Sequence, residues 1–371
     1  MSKTKSKSFR FTRLYLENWR NFVQIDVKLQ DRVFLVGPNA SGKSNLLDVF
    51  RFLHDIVSIG GGFQEAIRKR GGVSSLRCLA ARRHSNILIH IDIGNEYDLS
   101  VWEYEIHFNQ DNLRRPIIKK EKVIKHGRLI LERPDDKDKN DPERLIQTYL
   151  EQVYANQRFR NIADFFSTVR YLHIVPQLVR EPDRSIGKKN DPYGGDFLEQ
   201  IAHTQDRTRN ARLKRIKDAL SFAVSKLKEL EMVRDERGTP HLRGKYEHWR
   251  PQGAWHKEDQ FSDGTLRLMG LLWVTLDGSG PLLLEEPELS LHPEVIKYIP
   301  QMFARIQRKT GRQVIMSTHS PEVLQDEGIG LDEVLLVQPG SEGAMVTPAN
   351  RIKDAERLLE GGLSVADAII P

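Results

Sequence analysis

Residues 37–44 read Gly-Pro-Asn-Ala-Ser-Gly-Lys-Ser, which fits the pattern G-x-x-x-x-G-K-[ST]. Its flanks make it constraining. Val33-Phe34-Leu35-Val36 is a continuous apolar run, the pattern of a strand buried on both faces of a mainly parallel sheet. Beyond the loop, Leu46, Leu47, Val49, Phe50 and Leu53 recur at helical spacing. A buried strand, a glycine loop and a helix predict the opening of an α/β domain that binds phosphates. Gly37 and Gly42 allow backbone angles and close approach that a side chain would block. The N–H groups of Asn39, Ala40, Ser41, Gly42 and Asn45 are candidates to surround phosphate oxygens at the helix start. Lys43 is placed to neutralise β- and γ-phosphates, and the Ser44 hydroxyl to ligate Mg²⁺.

Leu282-Leu283-Leu284-Glu285-Glu286 predicts a buried strand that delivers two carboxylates at its C-terminal end, where open α/β sheets bind ligands. Alternation along the chain points the two acids in different directions. Glu285 can then hold Mg²⁺ while Glu286 polarises an attacking water. Ser262-Asp263-Gly264 precedes an apolar helix, Leu266–Leu276, and by itself reads as a helix N-cap. His319 lies directly after the strand Val314–Met316, beside Ser317, Thr318 and Ser320, where it is placed to sense a terminal phosphate.

The rest of the chain supplies the frame. Val23–Leu29 alternates as a strand with one wet face. Ile87–Ile91, Trp102–Phe108 and Lys122–Leu131, the last turning at His126-Gly127, predict antiparallel hairpins. Arg133–Pro142 is charged and is expected to be a loop and a boundary. Glu143–Thr168 and Phe197–Asp235 read mostly as helices, with Arg170–Val175 extended between them. Pro293 opens a helix that ends near Gly311, and Glu333–Val337 adds a strand. The 371 residues suit about two domains or one domain with an insertion. The expected segments are 1–135 (phosphate loop and antiparallel strands), 136–255 (a mainly helical insertion or lid) and 256–371 (the second half of the head). The longest apolar runs fall far short of the roughly 20 residues that cross a bilayer. The basic start, Met1–Phe11, lacks the apolar stretch of a secretory signal, and the single Cys78 excludes a disulfide framework. A cytoplasmic protein without membrane contact is the expectation.

The ordered set GPNASGKS, SDGTLR, LLLEEPELSLHP and MSTHSP resembles the ABC-type ATPases of the RecF/SMC kind. More narrowly, it is similar to the small stand-alone bacterial ATPases related to OLD-family proteins and common in anti-phage defence. The resemblance covers about residues 10–60 and 255–340. It implies an α/β, ABC-type P-loop ATPase head with a mixed sheet, an antiparallel β subdomain and a helical insertion. By position, residues 37–44 become the Walker A loop, Glu285 the Walker B metal ligand, Glu286 the catalytic base and His319 the switch histidine, catalysing together with Lys43. Ser262, Asp263 and Gly264 match the signature that reaches a partner subunit's γ-phosphate, and Leu289–His292 stands at the D-loop. Leu16–Phe22 is similar to the family's first strand-turn. Where the family usually has aspartate, this chain has Glu285. The Mg²⁺-ligating glutamine is assigned to Gln177, with Gln64 the second candidate. The Ser44–Ser262 interval is too short for SMC coiled-coil arms, so the insertion should be a stubby lid or a partner platform.

The resemblance therefore implies ATP and Mg²⁺, a head-to-tail homodimer, and a separate nuclease or toxin subunit, since the stretch after Pro339 is too short for a Toprim domain. The alternative is a RecF-type clamp on duplex DNA. The formal net charge of +6 permits an anionic partner without requiring one. Arg207, Arg209, Arg212, Lys214, Arg215 and Lys217 face only Asp206 and Asp218 nearby, which suits either phosphate contacts or a solvated helix face. The basic tail Lys3–Arg13 adds modestly to the first option.

Overall fold

In the computed structural model, which describes residues 9–81, 85–181, 191–221, 223–249, 254–353 and 355–369, three sheets are built from fifteen strands. The basic tail proposed at Lys3–Arg13 lies outside the described residues up to position 8.

The central sheet explains the rest. It contains β3 (Arg32–Val36), β8 (Arg170–Leu172), β12 (Leu282–Glu285), β13 (Val314–Thr318), β14 (Val334–Gln338) and β15 (Met345–Pro348), in the order β15-β14-β3-β13-β12-β8. All neighbours are parallel except the β14–β15 pair. Alternate side chains leave on opposite faces. Val33, Leu35, Leu283, Ile315, Leu335 and Val337 join one core cluster, while Phe34, Val36, Leu282, Leu284, Val314 and Met316 join the other. Burial on both faces is why these strands read as unbroken apolar runs.

The first face carries α1 (Lys43–Val57), helix Arg160–Ser167 and an antiparallel sheet. That sheet has the order β2-β1-β4-β5-β6-β7: β1 (Arg10–Trp19), β2 (Phe22–Lys28), β4 (Ile87–Gly94), β5 (Trp102–Gln110), β6 (Pro116–Lys125) and β7 (Arg128–Arg133). Its inner face supplies Leu14, Leu16, Ile89, Ile91, Tyr104 and Ile106, all fully buried. The second face carries helices Asp206–Leu220 and Asp263–Leu276.

Three expectations are corrected. Leu227–Arg234 is not helical but forms β9, which pairs with β10 (Pro240–Tyr246), itself paired with β11 (Ala254–Lys257). Its spacing suits a helix, yet Glu229 and Glu231 meet Lys245 (3.1 Å) and Arg243 (2.6 Å) across the strands. Tertiary pairing overrides local propensity here. Arg133–Pro142 is not a plain loop. Arg133 is wholly buried, ion-paired to Glu121 (3.0 Å) and to Asp138 (2.8 Å) of the short helix Asp136–Asn140. Finally, the helix begun at Pro293 is broken at Lys297 and Tyr298, resuming as Ile299–Thr310 before Gly311 caps it in the left-handed region.

On the outer face of the antiparallel sheet, His90 of β4 lies 2.9 Å from Asp92 and 3.2 Å from Glu105. Burial alone would lower its pKa, but the two carboxylates outweigh it and push it up to about 9. The grouping of His90, Asp92 and Glu103 is thus held by an imidazolium cation. A folded-state pKa above the unfolded value of about 6.5 means the stabilisation is complete below pH 6.5 and lost as pH rises through about 9. Urea unfolding should show stability falling across that window in the parent chain and a flatter profile in His90→Gln. Arg133→Ala would leave Glu121 and Asp138 buried without a counter-charge. It should destabilise the chain by about 3–5 kcal/mol, read from the same denaturant midpoints.

Candidate functional site

The parallel strands all end at one edge, so their C-terminal loops converge there. From β3 the chain enters the glycine loop at Gly37, where an added Cβ would lie 2.1 Å from the Val337 carbonyl oxygen of the neighbouring strand. Ala40 (φ 61°) and Gly42 (φ 113°) turn the loop through the left-handed region. Gly42 precedes α1 without a side-chain cap, so the first N–H groups of that helix are left for an anion. The buried Lys43 folds back over the loop, its Nζ donating to the carbonyls of Gly37 (2.8 Å) and Pro38 (2.9 Å). Burial lowers the Lys43 pKa, while Glu286, Glu288 and Glu285 pull it back up.

From β12 comes Glu285, whose Oε1 accepts the Ser44 hydroxyl and whose Oε2 accepts the Tyr171 hydroxyl. The His173 ring nitrogen Nδ1 lies 3.2 Å from the Glu285 backbone oxygen. Glu286 sits at φ 43°, a strained setting for a non-glycine residue that costs on the order of 1–3 kcal/mol. Its N–H donates to the Ser317 carbonyl of β13 at 3.1 Å, and its Oε1 lies 3.3 Å from His319 Nδ1. The two acids therefore diverge as alternation requires, Glu285 toward Ser44 and Glu286 toward His319. A hydroxyl and a carboxylate oxygen in contact form the hard donor set that Mg²⁺ takes, so Ser44 and Glu285 fit that ion.

The segment Ser262–Gly264 makes its hydrogen bonds and ion pairs with other partners than this cluster. Ser262 is exposed and caps helix Asp263–Leu276, accepting from the Thr265 N–H at 3.2 Å, and Asp263 pairs with Arg180 at 2.6 Å. Gly264 packs on the 289–292 segment, where a Cβ would lie 2.8 Å from the Ser290 carbonyl oxygen. Gln177 is exposed in the short helix Pro176–Arg180, and among the described residues no hydrogen bond brings it to Ser44 or Glu285. Gln64 donates from Nε2 to the carbonyls of Pro116 (2.9 Å) and Ile146 (2.7 Å), and among the described residues no hydrogen bond brings it to Ser44 or Glu285.

Sequence reasoning gave no role to four residues, two of which, Trp19 and Asn21, lie in the Leu16–Phe22 strand-turn. Asn21, in the β1–β2 turn, donates to the Ser41 carbonyl and accepts from Asn45 Nδ2, both at 2.9 Å. Trp19 Nε1 donates to the Asn45 carbonyl at 2.9 Å. The turn that opens the chain is thus the buttress of the glycine loop. Glu288 is buried, accepting from Thr318 Oγ1 (2.5 Å) and the His319 N–H (3.3 Å), and burial raises its pKa. A third acid within EEPE was its only signal. Tyr171 gave none.

Comparison with known proteins gives a family and a fold. A family model described as "AAA domain, putative AbiEii toxin, Type IV TA system" matches residues 32–325. The energy-coupling factor transporter ATP-binding protein EcfA2 of Geobacillus kaustophilus is 29% identical over 108 residues, covering 29% of this chain. The match spans 36% of that relative's length. An SMC head bound to the C-winged helix domain of ScpA superposes with a TM-score of 0.55 at 13% identity, covering 91% of this chain and 96% of that one. An SMC head with an extended coiled coil, bound to the C-terminal domain of ScpA derived from Pyrococcus furiosus, gives 0.52 at 12% identity, covering 95% and 99%. These two likenesses show the fold: an α/β head with mixed and antiparallel sheets.

Asn21→Ala removes two loop-bracing hydrogen bonds at about 0.5–1.5 kcal/mol each. Nucleotide affinity, measured by titration with a fluorescent ATP analogue, should fall roughly tenfold while helical content by circular dichroism stays unchanged.

Proposed function

The chain belongs to the AAA-domain family described above, and we propose that it is a Mg²⁺-dependent ATPase working as a nucleotide-gated head-to-tail dimer. The observation that carries this reading is the meeting of Ser44 with Glu285 and of Glu286 with His319 at one sheet edge. Helix α1 and the loop N–H groups bind the phosphates, and Lys43 exchanges its loop carbonyls for β- and γ-phosphate oxygens. Ser44 and Glu285 would hold Mg²⁺, which supplies charge neutralisation at the phosphates. Glu286 accepts a proton from the attacking water, and His319, beside it, orients that carboxylate and contacts the terminal phosphate. Nearly all the catalysis is positioning and electrostatics, since phosphoryl transfer asks little covalent chemistry of a protein.

Among the described residues Ser262, Asp263 and Gly264 share no hydrogen bond with Ser44, Glu285, Glu286 or His319, and Ser262 is exposed. They are therefore assigned to the partner's nucleotide, so that two sites form per dimer and phosphate loss opens the interface. Beyond the ATPase, we read the chain as the sensor or regulator subunit of an anti-phage defence or toxin–nuclease complex, in keeping with the family description. The DNA-clamp alternative draws on less. Within the basic helix Asp206–Leu220, Arg209, Arg212 and Lys217 are paired with Asp206, Asp277 and Asp218, and only Arg207, Lys214 and Arg215 are exposed cations.

Glu286→Gln should retain ATP and persist as a dimer in light scattering, with turnover reduced by about 10²-fold or more. Lys43→Ala should lose nucleotide binding and the dimer with it. Parental turnover in Glu286→Gln would rule out the base assignment.

A further inference from the structure

Glu285 enters the site on a side chain with three rotatable bonds, yet its two oxygens are separately held, Oε1 by Ser44 and Oε2 by Tyr171. The second contact comes from β8, the edge strand beside β12. Parallel pairing sets Tyr171 opposite Leu283. Leu283 and Glu285 leave β12 on the same face, two residues apart, so a tyrosine at this register reaches forward along the sheet to the carboxylate. A phenylalanine there would cover Leu283 equally well but present no hydroxyl.

The ring is itself fixed. The Arg51 guanidinium, two turns along α1 from Ser44, lies 3.9 Å from the ring centroid of Tyr171. Ser44 and Arg51 thus project from one helix to opposite ends of a single chain of contacts, Ser44–Glu285–Tyr171–Arg51. His173, two residues beyond Tyr171, meets the backbone oxygen of the same glutamate. Side chain and main chain of Glu285 are both held from the β8 segment, next to a phosphate-loop helix that supplies the other metal donor.

We infer that Tyr171 is a positioning residue that fixes Glu285 Oε2, so that Oε1 is presented with Ser44 Oγ as a preformed donor pair for the divalent cation of the nucleotide. This deepens the ATPase reading and rests on its assignment of Glu285 to the metal. Groups that orient a metal-binding carboxylate commonly alter metal affinity by about 10- to 100-fold when removed. Arg51 acts one step further out, by keeping the ring in place.

The test uses the whole chain with a non-hydrolysable ATP analogue and Mn²⁺, whose binding is read by electron paramagnetic resonance. Tyr171→Phe keeps the ring and its stacking but loses the hydroxyl. Its Mn²⁺ affinity in the presence of the analogue should fall about tenfold. Affinity for the analogue without metal, and the thermal midpoint, should stay at parental values. Glu285→Gln should weaken Mn²⁺ strongly, and Tyr171→Phe combined with it should weaken Mn²⁺ no further. Parental Mn²⁺ affinity in Tyr171→Phe, alongside a weakened Glu285→Gln, overturns the positioning role alone. An equal loss of metal-free analogue binding in Tyr171→Phe also overturns it, since the hydroxyl would then serve general structure. Parental Mn²⁺ affinity in Glu285→Gln overturns the metal assignment itself, which separates the two failures.

Discussion

The contact between Ser44 and Glu285 joins residues 241 positions apart, and every other feature of the site depends on the sheet that makes it possible. Parallel strands need crossovers, so neighbours in such a sheet are distant in sequence. Here β13 pairs with both β3 and β12, and the loops from all three strands leave at the same end. The glycine loop, the Glu285 carboxylate and His319 can therefore converge without any of them being near another in the chain. The price is a long closure: strands β4–β7 of the antiparallel sheet, several helices and β9–β11 all intervene between β3 and β12.

Convergence creates an electrostatic problem that the structure meets with local cations. Glu285, Glu286 and Glu288 crowd one edge, and all three act on Lys43. Burial lowers the pKa of the buried Arg267 in helix Asp263–Leu276, while Asp263, Glu288 and Glu286 pull it back up. Mutual attraction across a low-dielectric edge offsets part of the desolvation of each group. The left-handed backbone of Glu286 belongs to the same compromise. Turning the chain there sends Glu286 to His319 while Glu285 stays on Ser44, and the N–H bond to Ser317 holds the strained residue in place.

Much of this was legible because it is local or ordered. The phosphate loop, the double glutamate and His319 each follow an apolar strand, and strand ends are where open α/β sheets bind ligands. Three kinds of feature were not legible. Asn21 and Tyr171 act through partners 20 and 114 residues away, and neither residue type announces a loop brace or a carboxylate holder. The strand β9 carries helical spacing, and its backbone pairing with β10, flanked by ion pairs, overrides that local pattern. Arg133 lies in a run of charges that reads as solvated, yet it occupies a fully buried ion cluster in which Glu121 also accepts the backbone N–H groups of Tyr149 and Leu150.

The signature segment shows how one geometry can satisfy two readings of a sequence. Ser262 caps its helix by accepting the Thr265 N–H, and its hydroxyl lies 2.8 Å from Thr265 Oγ1. A hydroxyl that accepts still has one proton to donate. The cap fixes the Ser262 rotamer and leaves its donor available when Thr265 Oγ1 is the donor of their shared contact, and the helix dipole behind it favours a negative group at the same end. Asp263 would repel such a group, but its carboxylate is drawn to Arg180 at 2.6 Å. If Ser262 meets a partner's phosphate as proposed, capping and recognition share one arrangement, and the cap gives an exposed serine the rigidity that recognition requires.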